Sequence, residues 1–345
     1  MTSLDVLRHL GLFGFIRRKQ SSSLTVLTVH GVAPLRDEML WDPLRKQLDI
    51  ETFTNQLDAI SQHHNWVDVH GALEHLRGGS HVENPVLLTF DDGYRNNLDL
   101  ALPVFEARHI RPLLFVTTGF LDNARTFWFD RFDFAIQQID RPWTLEVEGK
   151  SFEFNPSDRC SMHREYQALR RYAKRQGWHD QHFHEFFEET CDALEAHTGK
   201  ALGNLQAIDP VSATISSVEL CRAVARGAID VGSHTIDHMR IDKLDIDTRA
   251  HQLVQSKIEL EAITGQPCRT FCYPNGDWDQ ISREAVAAAG YEASFTVAPG
   301  LNAVGCDLLT LQRVFLPLHF HPAHIEAVAC GLLSYKQRLS SLIEF

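Results

Sequence analysis

The chain has 345 residues, enough for one large α/β domain or two smaller ones, and 44% of them are hydrophobic, an ordinary share for a protein that buries a sizeable core. Asp and Glu number 45 against 33 Lys and Arg, a formal net charge of -12 with no strongly basic stripe, which argues against a general nucleic-acid binder. No run approaches the ~20 apolar residues that span a bilayer, and Arg17-Arg18-Lys19 follow the early apolar residues, with Asp5, Arg8 and His9 among them, the reverse of a secretory signal.

Residues 3–16 have the spacing of a short amphipathic helix, with Leu4, Leu7, Leu10, Leu12, Phe13 and Ile16 largely on one side. It would pack on its own domain or lie on a membrane surface as a peripheral contact. Residues 24–30, rich in β-branched and apolar types, predict a first strand with His30-Gly31 at its exit. Helical spacing of Phe53, Leu57 and Ile60 follows over 51–64, then a short strand from Trp66 to Val69 and a helix over 71–77, ended by Gly78-Gly79-Ser80. Strand 86–90, helix 97–108 and strand 113–117 continue an alternation typical of a parallel sheet or barrel.

That rhythm breaks between about Asp122 and Ser217. The stretch carries Phe127-Trp128-Phe129 and a charged, helix-like region from Pro156 to His197. We read 122–217 as a mainly helical insertion, with 1–121 and 218–345 forming one barrel around it. A long connection after strand 113–117 emerges on the active rim of a parallel barrel, so the insertion is expected to shape ligand choice and to supply no metal ligand. Its histidines, 163, 179, 182, 184 and 197, stand irregularly among charges and read as solvated surface. Alternation resumes with helix 218–226, strand 228–232 and helix 247–264, capped by Asp247 and with Leu253, Ile258 and Leu260 among its apolar positions. Strand 270–273, helix 280–289 closed by Gly290, strand 293–297, an apolar segment 308–318 and a C-terminal helix over 323–343 complete the chain. The predicted fold is a distorted (β/α) barrel of about seven strands. Seven scattered cysteines with no Cys-x-x-Cys read as reduced thiols of a cytoplasmic protein, and a cysteine-based zinc site has little support.

Two stretches carry chemistry. Val86 to Tyr94 is an apolar run that ends abruptly in Asp91, Asp92 and Gly93. Adjacent residues at a strand end point to opposite sides, so the two carboxylates are expected to do different work. His234 and His238, four apart, can reach one point. One carboxylate and two imidazoles make a three-ligand site with an open position, as in catalytic divalent metal centres. The spare carboxylate is then free to act as a general base.

Thr89-Phe-Asp-Asp-Gly93 with His234-Thr-Ile-Asp-His238 resembles the first two motifs of the polysaccharide deacetylase family, carbohydrate esterase family four. The resemblance covers about 24–120 and 228–318 and implies the same barrel. It implies a metal-dependent hydrolase that removes an N-acetyl group from an amino sugar, within a glycan or in a glycolipid or saccharide intermediate. An amino-sugar-containing saccharide is then the expected partner, and nucleic acid is not. The same resemblance makes Asp91 the base and gives Asp92, His234 and His238 one divalent metal ion, Zn2+ foremost, with Co2+, Ni2+ or Fe2+ also suited. Arg269 to Gly276 is similar to the third motif, whose turn amide, here at Asn275, helps hold the oxyanion. The arginine that orients the base is either Arg269 or Arg313, the latter within Leu-Gln-Arg-Val-Phe-Leu-Pro. The family's fourth motif is absent; Asp277-Trp278 is not its equivalent. Leu27-Thr-Val-His30-Gly resembles a permuted subgroup typified by poly-N-acetylglucosamine deacetylases, which implies His30 as the acid; His319 and His321 are the late alternatives. A deformylase or cyclic-amide hydrolase on the same scaffold, or an inactive glycan-binding barrel, stands as the alternative function.

Overall fold

Eight short parallel strands carry the architecture of this computed structural model, which describes residues 2–122 and 125–332. They are β1 (Thr25–Val29), β2 (Asn65–Trp66), β3 (Pro85–Phe90), β4 (Leu113–Val116), β5 (Asp230–Ser233), β6 (Thr270–Cys272), β7 (Ala293–Phe295) and β8 (Val314–Phe315). The sheet runs β7-β6-β5-β4-β3-β1-β8, with β2 paired to the start of β3. Its two ends meet. Phe295 bridges Leu311, and the Thr296 and Arg313 amides donate to Leu311 and Ala298 carbonyls at 2.9 and 3.0 Å. The result is a distorted (β/α) barrel, as the alternation predicts.

Every residue of β3 is buried, because one face looks into the barrel and the other lies under helices. Val26, Leu87, Phe115 and Phe295 belong to the inner cluster. Leu27, Leu88, Phe90 and Leu114 point the other way and pack with Phe53, Leu57 and Phe105 of the covering helices.

Several elements differ in detail from the sequence reading. Residues 3–16 do not form one helix. Ser3–His9 and Leu12–Lys19 are separated at Gly11, whose φ of 73° lies in the left-handed region. Phe13 is buried against Ala323 and Ala327 of helix Pro322–Ala329 and its C-cap Cys330, with Leu4, Leu7 and Ile16 around it, so this segment packs on its own barrel. The 97–108 helix is two pieces, Asn96–Asp99 and Ala101–Glu106. Strand 66–69 ends at Trp66 because Asp68 caps a helix starting at Val69. The cap of helix Ile246–Thr264 is Asp245, which accepts from the Thr248 amide at 2.9 Å, and not Asp247; Ile258 is 51% exposed. The C-terminal helix is described to Ala329, and residues 333–343 of the expected span lie outside the described residues.

Between Asp122 and Ser217 lie helices Trp128–Gln137, Arg159–Arg175 and Asp180–Thr198, and also an antiparallel hairpin, Trp143–Val147 with Lys150–Phe154, that the reading did not anticipate. Phe127, Phe132, Phe154, Tyr166 and Phe187 give these elements a core separate from the barrel's. Asp180 ties them to the barrel through the Arg240 side chain at 2.5 Å, and Asp133 does so through the Leu44 and Arg45 amides at 3.1 and 2.9 Å.

Candidate active site

Asp91 is still in register with the sheet, its amide bonded to the Val29 carbonyl at 3.0 Å. Asp92 leaves it at a φ of 75°, outside the broad allowed regions for a residue with a Cβ, and Gly93 follows at 91°. The turn therefore sends the two carboxylates to different partners.

Asp91 meets Arg313. The guanidinium is fully buried and uses both ends of its fork on the carboxylate, at 2.7 and 2.7 Å. Its remaining donors go to the Thr296 carbonyl (2.7 Å), the Thr89 hydroxyl (3.2 Å) and the Cys272 sulfur (3.1 Å). Burial raises the Asp91 carboxyl, but Arg313 more than offsets this and holds it below the usual range. Arg269 sits elsewhere, on the surface, paired with Glu292 at 2.9 Å.

Asp92 faces His234 and His238, its Oδ1 lying 3.6 and 3.4 Å from their Nε2 atoms. His234 Nδ1 is 2.8 Å from the Cys272 carbonyl, which can only accept, so Nδ1 carries the proton and Nε2 presents a lone pair. Positive φ at Thr235 (69°) and His238 (60°) curls the loop after β5, which brings the second imidazole back beside the first. Phe127 and Phe129 pack edge-on against the His238 ring at 5.8 and 5.4 Å, so both rings are buried anchors of the 122–217 segment and not an open face for a sugar.

Both Asp92 oxygens are buried without a hydrogen-bond partner. A bare buried carboxylate is costly unless a positive charge answers it. Burial raises the Asp92 carboxyl, but His238, His30 and His234 outweigh this and hold it far below the usual range. Burial, then the neighbouring His238, lowers His234 to about 4. An ionised carboxylate and an imidazole lone pair are the protonation states that ligate metals. The donor atoms of Asp92, His234 and His238 all lie within 4.8 Å of one another, so these residues fit a single divalent cation. Asp91, His234 and Cys272 meet the same distance test. There Asp91 is already saturated by Arg313, and burial pushes the Cys272 thiol well up, so that group keeps its proton.

Around this centre the structure places the other expected residues unevenly. Asn275 occupies a tight turn after β6 at a φ of 58°. A Cβ on the next residue, Gly276, would sit 2.3 Å from Val297, so the turn requires glycine there. The Asn275 amide makes no hydrogen bond among the described residues, while its side chain accepts from Lys174 at 2.8 Å. His30 stands just past β1, its ring stacked on Phe315 at 6.0 Å and making no hydrogen bond among the described residues. Burial lowers its pKa, against the opposing pull of the Asp92 and Asp91 charges. His319 is exposed, and His321 lies 3.5 Å from Asp5 of the N-terminal helix, so neither is brought to the centre. None of the histidines of the 122–217 segment belongs to either donor group. A cavity of about 550 Å³ opens at the opposite end of the barrel, between Arg77, Arg111, Asp230 and Arg269, away from this chemistry.

Two features went unread in the sequence. Lys174 comes from a surface-patterned helix and nothing local marks it. Tyr94, two residues past Asp92, donates to Asp130 at 2.6 Å and also meets Arg45, which itself pairs with Asp130 at 2.9 Å. Its place in the motif was the available signal.

Comparison with known proteins agrees with this geometry. The family model described as polysaccharide deacetylase matches residues 176–294, which takes in His234, His238 and the Asn275 turn but not Thr89–Gly93. YxkH of Bacillus subtilis (strain 168), which carries the polysaccharide deacetylase name, is 26% identical over 96 residues; the match covers 28% of this chain and 34% of that protein, so the chain spans about a third of this relative. Among solved structures, the Streptococcus pyogenes deacetylase PplD in complex with acetate superposes with a TM-score of 0.56 at 12% identity, covering 90% of this chain and 99% of that one. IcaB from Ammonifex degensii gives 0.55 at 21% identity, with 90% and 96% covered. These two show a shared fold. The family-model match and the motif residues gathered at one rim make the chain similar to the polysaccharide deacetylase family over part of its length.

Proposed function

We propose that the protein is a metal-dependent hydrolase that removes an N-acetyl group from an amino sugar carried by a glycan or by a glycolipid or saccharide intermediate. The observation that carries this reading is the pairing of two adjacent carboxylates with opposite environments: Asp92 buried and unpartnered beside two imidazoles, Asp91 clamped by Arg313. Asp92, His234 and His238 would hold the cation. Two histidines and a carboxylate suit Zn2+, and Co2+, Ni2+ or Fe2+ are also accommodated. When bound, such an ion activates water and polarises the amide carbonyl.

The chain's own groups divide the remaining work. Asp91 accepts the proton of the attacking water, and Arg313 fixes the carboxylate's direction. The free Asn275 amide is a donor for the oxygen that becomes negative as the carbonyl turns tetrahedral. His30 gives a proton to the departing amine; burial lowers its pKa, so its protonated form releases that proton readily. The 122–217 segment is anchored beside His238 by Phe127 and Phe129, and its role is to shape substrate choice. Seven unpaired cysteines support a reducing, cytoplasmic setting and a sugar intermediate as substrate.

The test is release of acetate or formate from a panel of N-acylated amino sugars, with and without chelator. Chelator-sensitive acetate release supports the reading. Formate release alone moves it to deformylation, and no release by metal-loaded protein leaves a glycan-binding barrel.

A further inference from the structure

Beside His30 lies a second, smaller cavity of about 280 Å³. Pockets that enclose a drug-sized ligand usually measure ~300–1,000 Å³, so this one suits a single small group. Its floor is the end of β1, and Phe315, which carries the His30 ring, is one wall. Arg45 lies over the Phe129 ring at 4.4 Å, and that ring touches His238, so one aromatic side chain separates this cavity from the metal-ligand cluster.

The lining is charged in one sense. Arg45, Lys46 and Arg170 contribute three cations, and no Asp or Glu lines the cavity, in a protein whose net charge is -12. Lys46 is held by Asp42 and Arg45 by Asp130, both from outside the cavity. Arg170 has no carboxylate partner among the described residues. It rests on the Trp128 and Tyr166 rings at 5.8 and 5.3 Å. The Nε atoms of Arg45 and Arg170 are both buried without a hydrogen-bond partner. Buried guanidinium donors left unmatched cost free energy that an anion would recover, and the guanidinium fork fits the oxygens of phosphate or carboxylate.

We propose that this cavity binds an anionic group on the sugar next to the scissile amide, so that the substrate is a phosphorylated or carboxylated amino sugar and not a neutral one. The assignment rests on the amidase reading above, and its test separates the two. The binding of N-acetylglucosamine 1-phosphate, N-acetylglucosaminuronic acid and neutral N-acetylglucosamine to the full chain is measured by calorimetry, alongside release of acetate from each. The proposal expects at least tenfold tighter binding of one or both anionic sugars. Whichever anion binds more tightly identifies the source. Arg170→Gln should erase at least tenfold of that preference, and Arg170→Lys should restore part of it. Lys46→Gln, at a half-exposed position that no core depends on, should weaken the anionic sugars in the same direction. Loss at Arg170 distinguishes this cavity from capture of the anion by a metal ion, since that substitution leaves Asp92, His234 and His238 in place. Equal binding of all three sugars, or an anionic preference indifferent to both Arg170→Gln and Lys46→Gln, overturns the proposal. Arg170-dependent binding with no acetate released from any sugar keeps the anion site and sinks the amidase reading instead.

Discussion

Asp91 commits both oxygens to Arg313, whereas Asp92 commits neither to any hydrogen bond. That contrast fixes what each substitution should do. Asp91→Asn is expected to retain the metal and lose about a hundredfold or more in rate, the scale for a missing general base. Asp92→Asn, like His234→Ala, should lose metal first. Metal analysis beside turnover checks both, and a metal-free Asp91→Asn with a loaded Asp92→Asn would reverse the roles. His30 makes its own prediction. His30→Ala should slow amide cleavage far more than cleavage of an activated ester, whose leaving group needs no proton; equal loss on the two substrates would make His30 structural. At this scale the sequence is most legible where the signal is contiguous. Thr89–Gly93 and His234–His238 each spell a local arrangement. Arg313 against Arg269 could not be decided there, because only barrel closure brings residue 313 beside residue 91.

Helix Arg159–Arg175 carries a consequence that its surface-like pattern conceals. It brings Lys174 into partial burial, with its amine on the Asn275 side chain. Burial, and then the nearby Arg170 charge, pull that lysine down to about 8 from an ordinary 10.5. Between those values the unfolded chain holds the proton and the folded protein does not, so stability rises with pH across this window. The total is on the order of 3 kcal/mol. Lys174→Met should flatten the rise, which urea unfolding at pH 7 to 10.5 would measure; an unchanged slope would remove Lys174 from the account. The hairpin Trp143–Val147/Lys150–Phe154 shows why elements were missed in this segment. Its two strands alternate in burial along nearly their whole length, but the turn is Glu148-Gly149, both at positive φ, where Asn-Gly or Asp-Gly is the familiar signal. Charged helical patterns on the C-terminal side then coloured the whole stretch. Asp245 displaced Asp247 as a cap for a simpler reason: two aspartates two residues apart offer the same chemistry, and the backbone decides which one precedes the first turn.

Across the molecule, the barrel was legible because short apolar strands alternate with helices. Its closure was not, since β8 is two residues long and the Phe295–Leu311 bridge stands alone. The ring closes through Arg313, which joins the last strand to Asp91 across 222 residues. Arg313→Met should therefore cost ~3–5 kcal/mol, the scale for stranding one member of a buried pair, and adding Asp91→Asn should recover much of it. Denaturant unfolding of the three variants tests this, and additive losses would show that the two residues are not coupled. The same long reach has a meaning for the order of synthesis. His30, Asp92, His234 and the Asn275 turn all leave the ribosome before Arg313, so a nascent chain can carry most of the centre while Asp91 is still an unanswered charge. On the proposed function, such a chain would gather its three metal-ligating side chains before it could hold its base in place, and hydrolysis would wait for the final strand to arrive.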